Sequence, residues 1–185
     1  GLEKLVKHLL EEGVAGFVVC GTTGEAAALS KAEQLAVLDA VLGWVEPGRV
    51  VMGLSGYNLD ELLAFQAQVQ QRPLGGLLVP APCYIRPSQA GIEAFFHTVA
   101  DAARVPVIVY DIPYRTGVRI EQETLRRIVR HPRIAAVKDC SGDLETTLAL
   151  IQDGNAQVLA GEDLQIFNNL CLGGAGAISA SAHVR

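Results

Sequence analysis

Pro106-Val-Ile-Val-Tyr110 and, one helical stretch later, Ile134-Ala-Ala-Val-Lys138 decide how this chain is read. Each is a short apolar run that closes on a residue able to do chemistry. Neither alternates apolar with polar side chains. Strands buried on both faces have this composition, and a parallel sheet covered by helices is what buries them. Five more runs share it: Phe17-Val-Val-Cys20, Val50-Val-Met-Gly-Leu54, Gly76-Leu-Leu-Val79, Gln157-Val-Leu-Ala160 and Gly176-Ala-Ile-Ser179.

Stretches of helical period separate them. Leu2, Leu5, Val6, Leu9 and Leu10 form one stripe. Leu35, Val37, Leu38, Val41 and Leu42 follow Ser30, whose partner Glu33 three residues on makes a capping box. Asn58 and Ser88 open the next two helices, a shorter one spans 121–130 before Pro132, and 144–151 and 164–172 complete the series. Strand and helix thus alternate at roughly 25–30 residues, the pattern of right-handed β/α units. The count is seven strands and seven helices, starting on a helix and ending just after a strand. A (β/α)8 barrel needs eight of each in about 250 residues. We therefore expect a single α/β domain over residues 1–185: a (β/α)8 TIM barrel lacking its first strand and its last helix. An open sheet is the alternative, and it leaves two long edges to protect.

Composition excludes several function classes. With 15 basic against 20 acidic side chains and no block of like charge, no nucleic-acid surface is expected. No apolar run reaches the ~20 residues of a membrane span, and no signal-peptide pattern opens the chain. Cys20, Cys83, Cys140 and Cys171 stand singly, as reduced thiols of a cytoplasmic protein do. His8, His97, His131 and His183 have no metal-ligand spacing, and no carboxylate cluster accompanies them, so no metal site is expected.

In β/α barrels the chemistry gathers where strands end at the C-terminal face. Here one strand runs into Gly21-Thr22-Thr23-Gly24-Glu25, another into Tyr110-Asp-Ile-Pro-Tyr-Arg115-Thr-Gly117, a third into Lys138 and a fourth into Gly161-Glu162-Asp163. Lys138 is one of only four lysines, and the other three sit on helices or helix starts. At the end of an apolar strand, desolvation lowers an ammonium pKa and frees the amine as a nucleophile. Pairing with Asp139 or Asp143 at the sheet rim is the structural alternative. Tyr110 is either a proton shuttle or a packed strand-end aromatic. Thr22 and Thr23 either offer hydroxyls to a carboxylate or form a plain turn, and Arg115 either grips a carboxylate bidentately or is solvated. Gly173-Gly-Ala-Gly176 precedes a strand instead of opening a helix, which favours a helix C-cap over a phosphate loop. Tyr84, in a loop past a strand end, reads as a surface tyrosine.

Taken together, G-T-T-G-E at 21–25, R-P-S-Q at 86–89, Y-D-I-P-Y-R-T-G at 110–117, V-K-D-C-S-G-D at 137–143 and G-G-A-G-A-I-S at 173–179 resemble the dihydrodipicolinate synthase and N-acetylneuraminate lyase family. The resemblance covers the chain in order and implies a class I aldolase barrel with a C-terminal helical extension. It also implies a homo-oligomer, a dimer of dimers. Lys138 would form an imine with pyruvate, which does the work of a metal so that no metal or organic cofactor is needed, and Tyr110 would relay protons. Thr22 and Thr23 would bind the pyruvate carboxylate and join Tyr110 to a proton chain, which Tyr84 completes in the neighbouring subunit. Gly161 and Ile178 would line the pyruvate pocket. Arg115 would hold the carboxylate of the aldehyde, aspartate semialdehyde, as in the synthase branch, giving 4-hydroxy-tetrahydrodipicolinate. A 2-oxo sugar acid aldolase or dehydratase of the same chemistry is the first alternative, and a small-acid-binding paralogue without turnover the second. The sequence departs from the family at its lysine-inhibition site. Ala26 and Ala27 stand where a polar contact is usual, Lys31 and Gln34 replace histidines, and Cys83 replaces a tyrosine, so lysine feedback is not expected.

Overall fold

The computed structural model describes residues 1–184. It is an alternation of strand and helix, as the periodicity requires. The seven strands are β1 (Phe17–Val19), β2 (Val50–Gly53), β3 (Gly76–Pro80), β4 (Val107–Asp111), β5 (Ile134–Asp139), β6 (Gln157–Ala160) and β7 (Gly176–Ala177). All pair in parallel, in the order β1 to β7, and the sheet curls as in a β/α barrel. It stays open between β1 and β7.

The helices are α1 (Leu2–Glu11), α2 (Lys31–Leu42), α3 (Leu59–Val69), α4 (Gln89–Asp101), α5 (Pro113–Thr116), α6 (Gln122–Ile128), α7 (Leu144–Asp153) and α8 (Ile166–Cys171). Ser30 forms the capping box with Glu33, and Asn58 and Ser88 each accept a first-turn N–H. The glycines after α8 close it in the C-cap expected of them. Gly173, at φ +95°, donates to the Leu170 carbonyl and Gly174 to that of Asn169, the paired bonds of a Schellman turn.

The seventh strand stops at Ala177 instead of Ser179, and two helical elements also differ from the sequence reading. The helix expected over 164–172 begins as a 3-10 turn, Asp163–Gln165, before α8. In addition, a single helical turn, α5, follows β4 directly. Pro113 supplies a pre-set φ at its start and Gly117, at φ +77°, its left-handed exit. That turn has no apolar period, so only its proline and glycine announce it.

Alternation along the strands divides the sheet into two faces. Outward-facing Val50, Met52, Leu77, Val107, Val109 and Val137 are buried against Leu38, Phe65, Phe96, Ile92 and Ile128 of the helices, forming the main core. The inner face carries Val18, Val51, Leu78, Ile108 and then Tyr110 and Cys140. The register places Tyr110 beside Lys138 and Asp111 beside Asp139 across β4 and β5. Lys138 and Tyr110 therefore share the inner face, while the two aspartates turn outward.

Candidate active site

The inner face is a trough of about 950 Å³, lined at its C-terminal mouth by Thr22, Thr23, Tyr110, Arg115, Lys138, Gly161, Glu162 and Ile178. Seven of the eight residues singled out in the sequence thus converge on one concavity. The eighth, Tyr84, lies outside it: its side chain is 87% exposed, and its N–H donates to the Thr116 carbonyl at 3.2 Å.

Lys138 is half-buried, and desolvation pulls its ammonium below the usual lysine range, with the charge of Glu162 opposing. Among the described residues it makes no ion pair. Asp143 pairs with Arg119, and Asp139 instead accepts from Ser141 at 2.7 Å and Thr147 at 2.5 Å. The rim ion pair considered from the sequence is therefore not formed. Instead Lys138 Nζ lies 4.2 Å from the centroid of the Tyr110 ring. An amine so placed has lost water without forming an ion pair among the described residues, and that favours its neutral, nucleophilic form.

Tyr110 is buried, and burial pushes its phenol well above the usual range, with the Thr22 side chain acting the other way. A phenol that keeps its proton is a donor first, and Thr22 and Thr23 of the Gly21–Glu25 turn line the same trough. Cys20 and Glu25, at φ +55° and +54°, adopt left-handed backbone that bends this turn over the strand end.

Gly161 is dictated by sterics. A Cβ there would overlap Cys140 Sγ and come 2.9 Å from Lys138 Cε. Ile178 donates its N–H to the Ala160 carbonyl at 2.9 Å, which holds it at the trough wall. Arg115 is exposed on α5, its guanidinium carbon 5.7 Å from the Tyr114 ring centroid.

Three neighbours escaped the sequence reading. Cys140, two residues beyond Lys138 and so on the same face, is buried with Sγ 3.9 Å from the Tyr110 hydroxyl, and burial pushes its thiol up to about 12. Glu162 sits at the mouth after β6, and Tyr114 on α5 donates its hydroxyl proton to Glu162 Oε1 at 2.6 Å. The period-2 rule identifies Cys140, but nothing local links Tyr114 to a residue 48 positions away. At the departed lysine-inhibition positions, Gln34 is buried and donates to the Ala26 and Leu29 carbonyls at 2.9 and 3.1 Å, and Lys31 covers the Phe65 ring at 4.3 Å. Gln34 thereby holds the turn onto α2, while Lys31 joins α2 to α3. Among the described residues, no group of three His, Cys, Asp or Glu side chains could hold a metal ion.

The fold and the mouth define a class: a β/α-barrel protein with a desolvated lysine and a buried tyrosine on adjacent strands. More narrowly, the chain belongs to the dihydrodipicolinate synthetase family, whose model matches residues 1–185. It is 40% identical over 185 residues to 4-hydroxy-tetrahydrodipicolinate synthase 1 of Streptomyces coelicolor, covering 100% of this chain and 61% of the relative. To the synthase of Limosilactobacillus fermentum it is 41% identical over 187 residues, covering 98% and 60%. The chain thus spans about three-fifths of the length of these curated relatives. Among solved structures it resembles the Acinetobacter baumannii dihydrodipicolinate synthase complexed with pyruvate, at TM-score 0.92 and 31% identity over 99% of this chain and 64% of that one. A structure described as the first monomeric dihydrodipicolinate synthase variant matches at TM-score 0.94 and 28% identity, over 98% and 63%.

Proposed function

We propose that this chain carries the lysine site of a Schiff-base-forming synthase that condenses pyruvate with aspartate semialdehyde to 4-hydroxy-tetrahydrodipicolinate. The single observation that carries this is Lys138, desolvated and outside any ion pair among the described residues, against the ring of Tyr110. The names of the relatives and the pyruvate held by the Acinetobacter baumannii neighbour support the substrates.

The neutral amine of Lys138 bonds to the keto carbon of pyruvate, and the keto oxygen leaves as water once Tyr110 has protonated it. The protonated imine draws electrons from the methyl carbon, which gives up a proton to become an enamine. That carbon attacks the aldehyde carbon of the second substrate, whose carboxylate Arg115 holds bidentately. The amine of the product then displaces Lys138 as the ring closes, restoring the free side chain. Thr22 and Thr23 hold the pyruvate carboxylate, and Gly161 and Ile178 keep its pocket narrow.

Tyr84 belongs to the same scheme as a tyrosine offered to a neighbouring subunit. Its left-handed backbone, at φ +72°, and its exposure support that reading, since strained exposed residues serve sites more often than cores. A homo-oligomer, a dimer of dimers, is in keeping with the exposed Leu164, Phe167 and Leu170. The four free cysteines suit a reducing, cytoplasmic setting.

Reductive trapping tests the proposal. Borohydride with pyruvate is expected to add the pyruvyl mass to Lys138 of the full-length protein and to nothing in Lys138→Ala. A folded protein with no adduct overturns it. Arg115→Ala is expected to trap pyruvate normally while losing at least ~100-fold in turnover of aspartate semialdehyde. Equal loss of both removes Arg115 from the second-substrate role.

A further inference from the structure

The hydrogen bond from Tyr114 to Glu162 spans the mouth between α5 and the turn after β6. Both residues line the trough that holds Lys138. Nothing in the reaction as proposed uses either one, yet at 2.6 Å this is a short, charge-assisted contact. The Tyr114 side chain stands 64% exposed, so burial is not what keeps it there.

We infer that Tyr114 is a positioning residue for the lysine site: its hydroxyl pins the Glu162 carboxylate over the trough, where that carboxylate faces the cation Lys138 forms as ammonium or as protonated imine. The inference rests on the reading of Lys138 as the imine-forming amine. A fixed carboxylate there opposes desolvation. It stabilises the positive imine nitrogen that serves as the electron sink, and in the free protein it keeps part of the lysine protonated. Cys140 and Glu162 both act upward on Lys138, and with burial holding the Cys140 thiol up at about 12 the carboxylate is the one of the two that carries charge.

Other groups around Lys138 do not supply this charge. Tyr110 from β4 and Cys140 past the end of β5 are both raised by burial and stay neutral. Arg115 from α5 is a cation. Asp163 and His183 also line the trough, but Asp163 is committed to the Ser179 hydroxyl, and His183 adds no negative charge. Glu162 is thus the anion at the lysine end of the mouth. Tyr114 is well built to hold it, because its ring also lies under the Arg115 guanidinium.

The pH profile of imine trapping separates this role from a structural one. Wild type, Tyr114→Phe and Glu162→Gln, each as the full-length protein, are incubated with pyruvate over a pH series, reduced with cyanoborohydride and weighed by mass spectrometry. The phenylalanine keeps the ring under Arg115 and removes only the hydroxyl. Glu162→Gln is expected to move the half-maximal pH of trapping downward by about half a unit or more. Tyr114→Phe is expected to move it the same way by less, with its melting temperature unchanged. A Tyr114→Phe profile that superimposes on wild type overturns the inference, as does a shift in Tyr114→Phe without one in Glu162→Gln. Absence of any adduct in wild type instead overturns the imine reading on which it rests, so the two failures are distinct.

Discussion

Gly161 shows how little room the lysine has. Its missing side chain leaves the space filled by Cys140 Sγ and the end of the Lys138 stem. Adding one methyl group must displace one or the other, and overpacking of this kind costs about 1–3 kcal/mol. Gly161→Ala is therefore expected to lower the urea midpoint and to slow pyruvate trapping by at least ~10-fold, because the amine moves from its place above Tyr110. Cys140→Ala removes the sulfur that the new methyl meets first. The double variant should recover part of both losses, measured as a coupling in a double-mutant cycle. A strictly additive double variant would show that the two side chains do not compete for that space. The sequence named Gly161 through the family resemblance alone. Its steric reason needed β5 and β6 side by side.

At the scale of elements, the site stands on turns that local chemistry specifies well. Ser30 Oγ accepts the Glu33 N–H at 3.3 Å, while the Ser30 N–H donates to Glu33 Oε2 at 2.8 Å, and that bond holds the Glu33 carboxyl below its usual range. The capping box starts α2, which carries Leu38 and Val41 onto the sheet beside the Thr22–Thr23 turn. Ser30→Ala is expected to cost about 1 kcal/mol in chemical unfolding, and Ser30→Asp much less. The cap was legible because it depends on residues three apart. The α5 turn was less so: with four residues it has no period to detect, and Pro113 and Gly117 alone mark its ends. Yet it presents Tyr114 and Arg115 to the mouth. The strands β3, β4 and β5 each run one residue past their apolar stretch, because Pro80, Asp111 and Asp139 continue the ladder although none is an apolar strand former.

Across the whole molecule, Asp111 couples stability to pH. Asp111 is buried on the outer face of the sheet with Oδ1 unpartnered, and burial together with the charge of Asp139 raises its carboxyl from 3.8 to about 7. A folded-state value above the unfolded one means the native protein holds a proton that the unfolded chain has released. Stability should therefore fall as pH rises from about 4 to about 7 and change no further on this account above that. Asp111→Asn is expected to be nearly neutral at the acid end and to stabilise by roughly 2–4 kcal/mol above pH 7, read from urea unfolding at several pH values. An equal effect at every pH would remove Asp111 as the source. The apolar runs and helical periods by themselves determined a parallel β/α sheet of seven strands. They also placed Tyr110 and Lys138 within one residue of the ends of adjacent strands, since burial on both faces is written in neighbouring residues. Only the tertiary structure decided that Lys138 makes no ion pair among the described residues, that Tyr114 reaches Glu162, and that Tyr84 stands apart from the other seven. Each of those depends on which strand ends come together in space, and side chains up to 48 residues apart meet only once the sheet has curled.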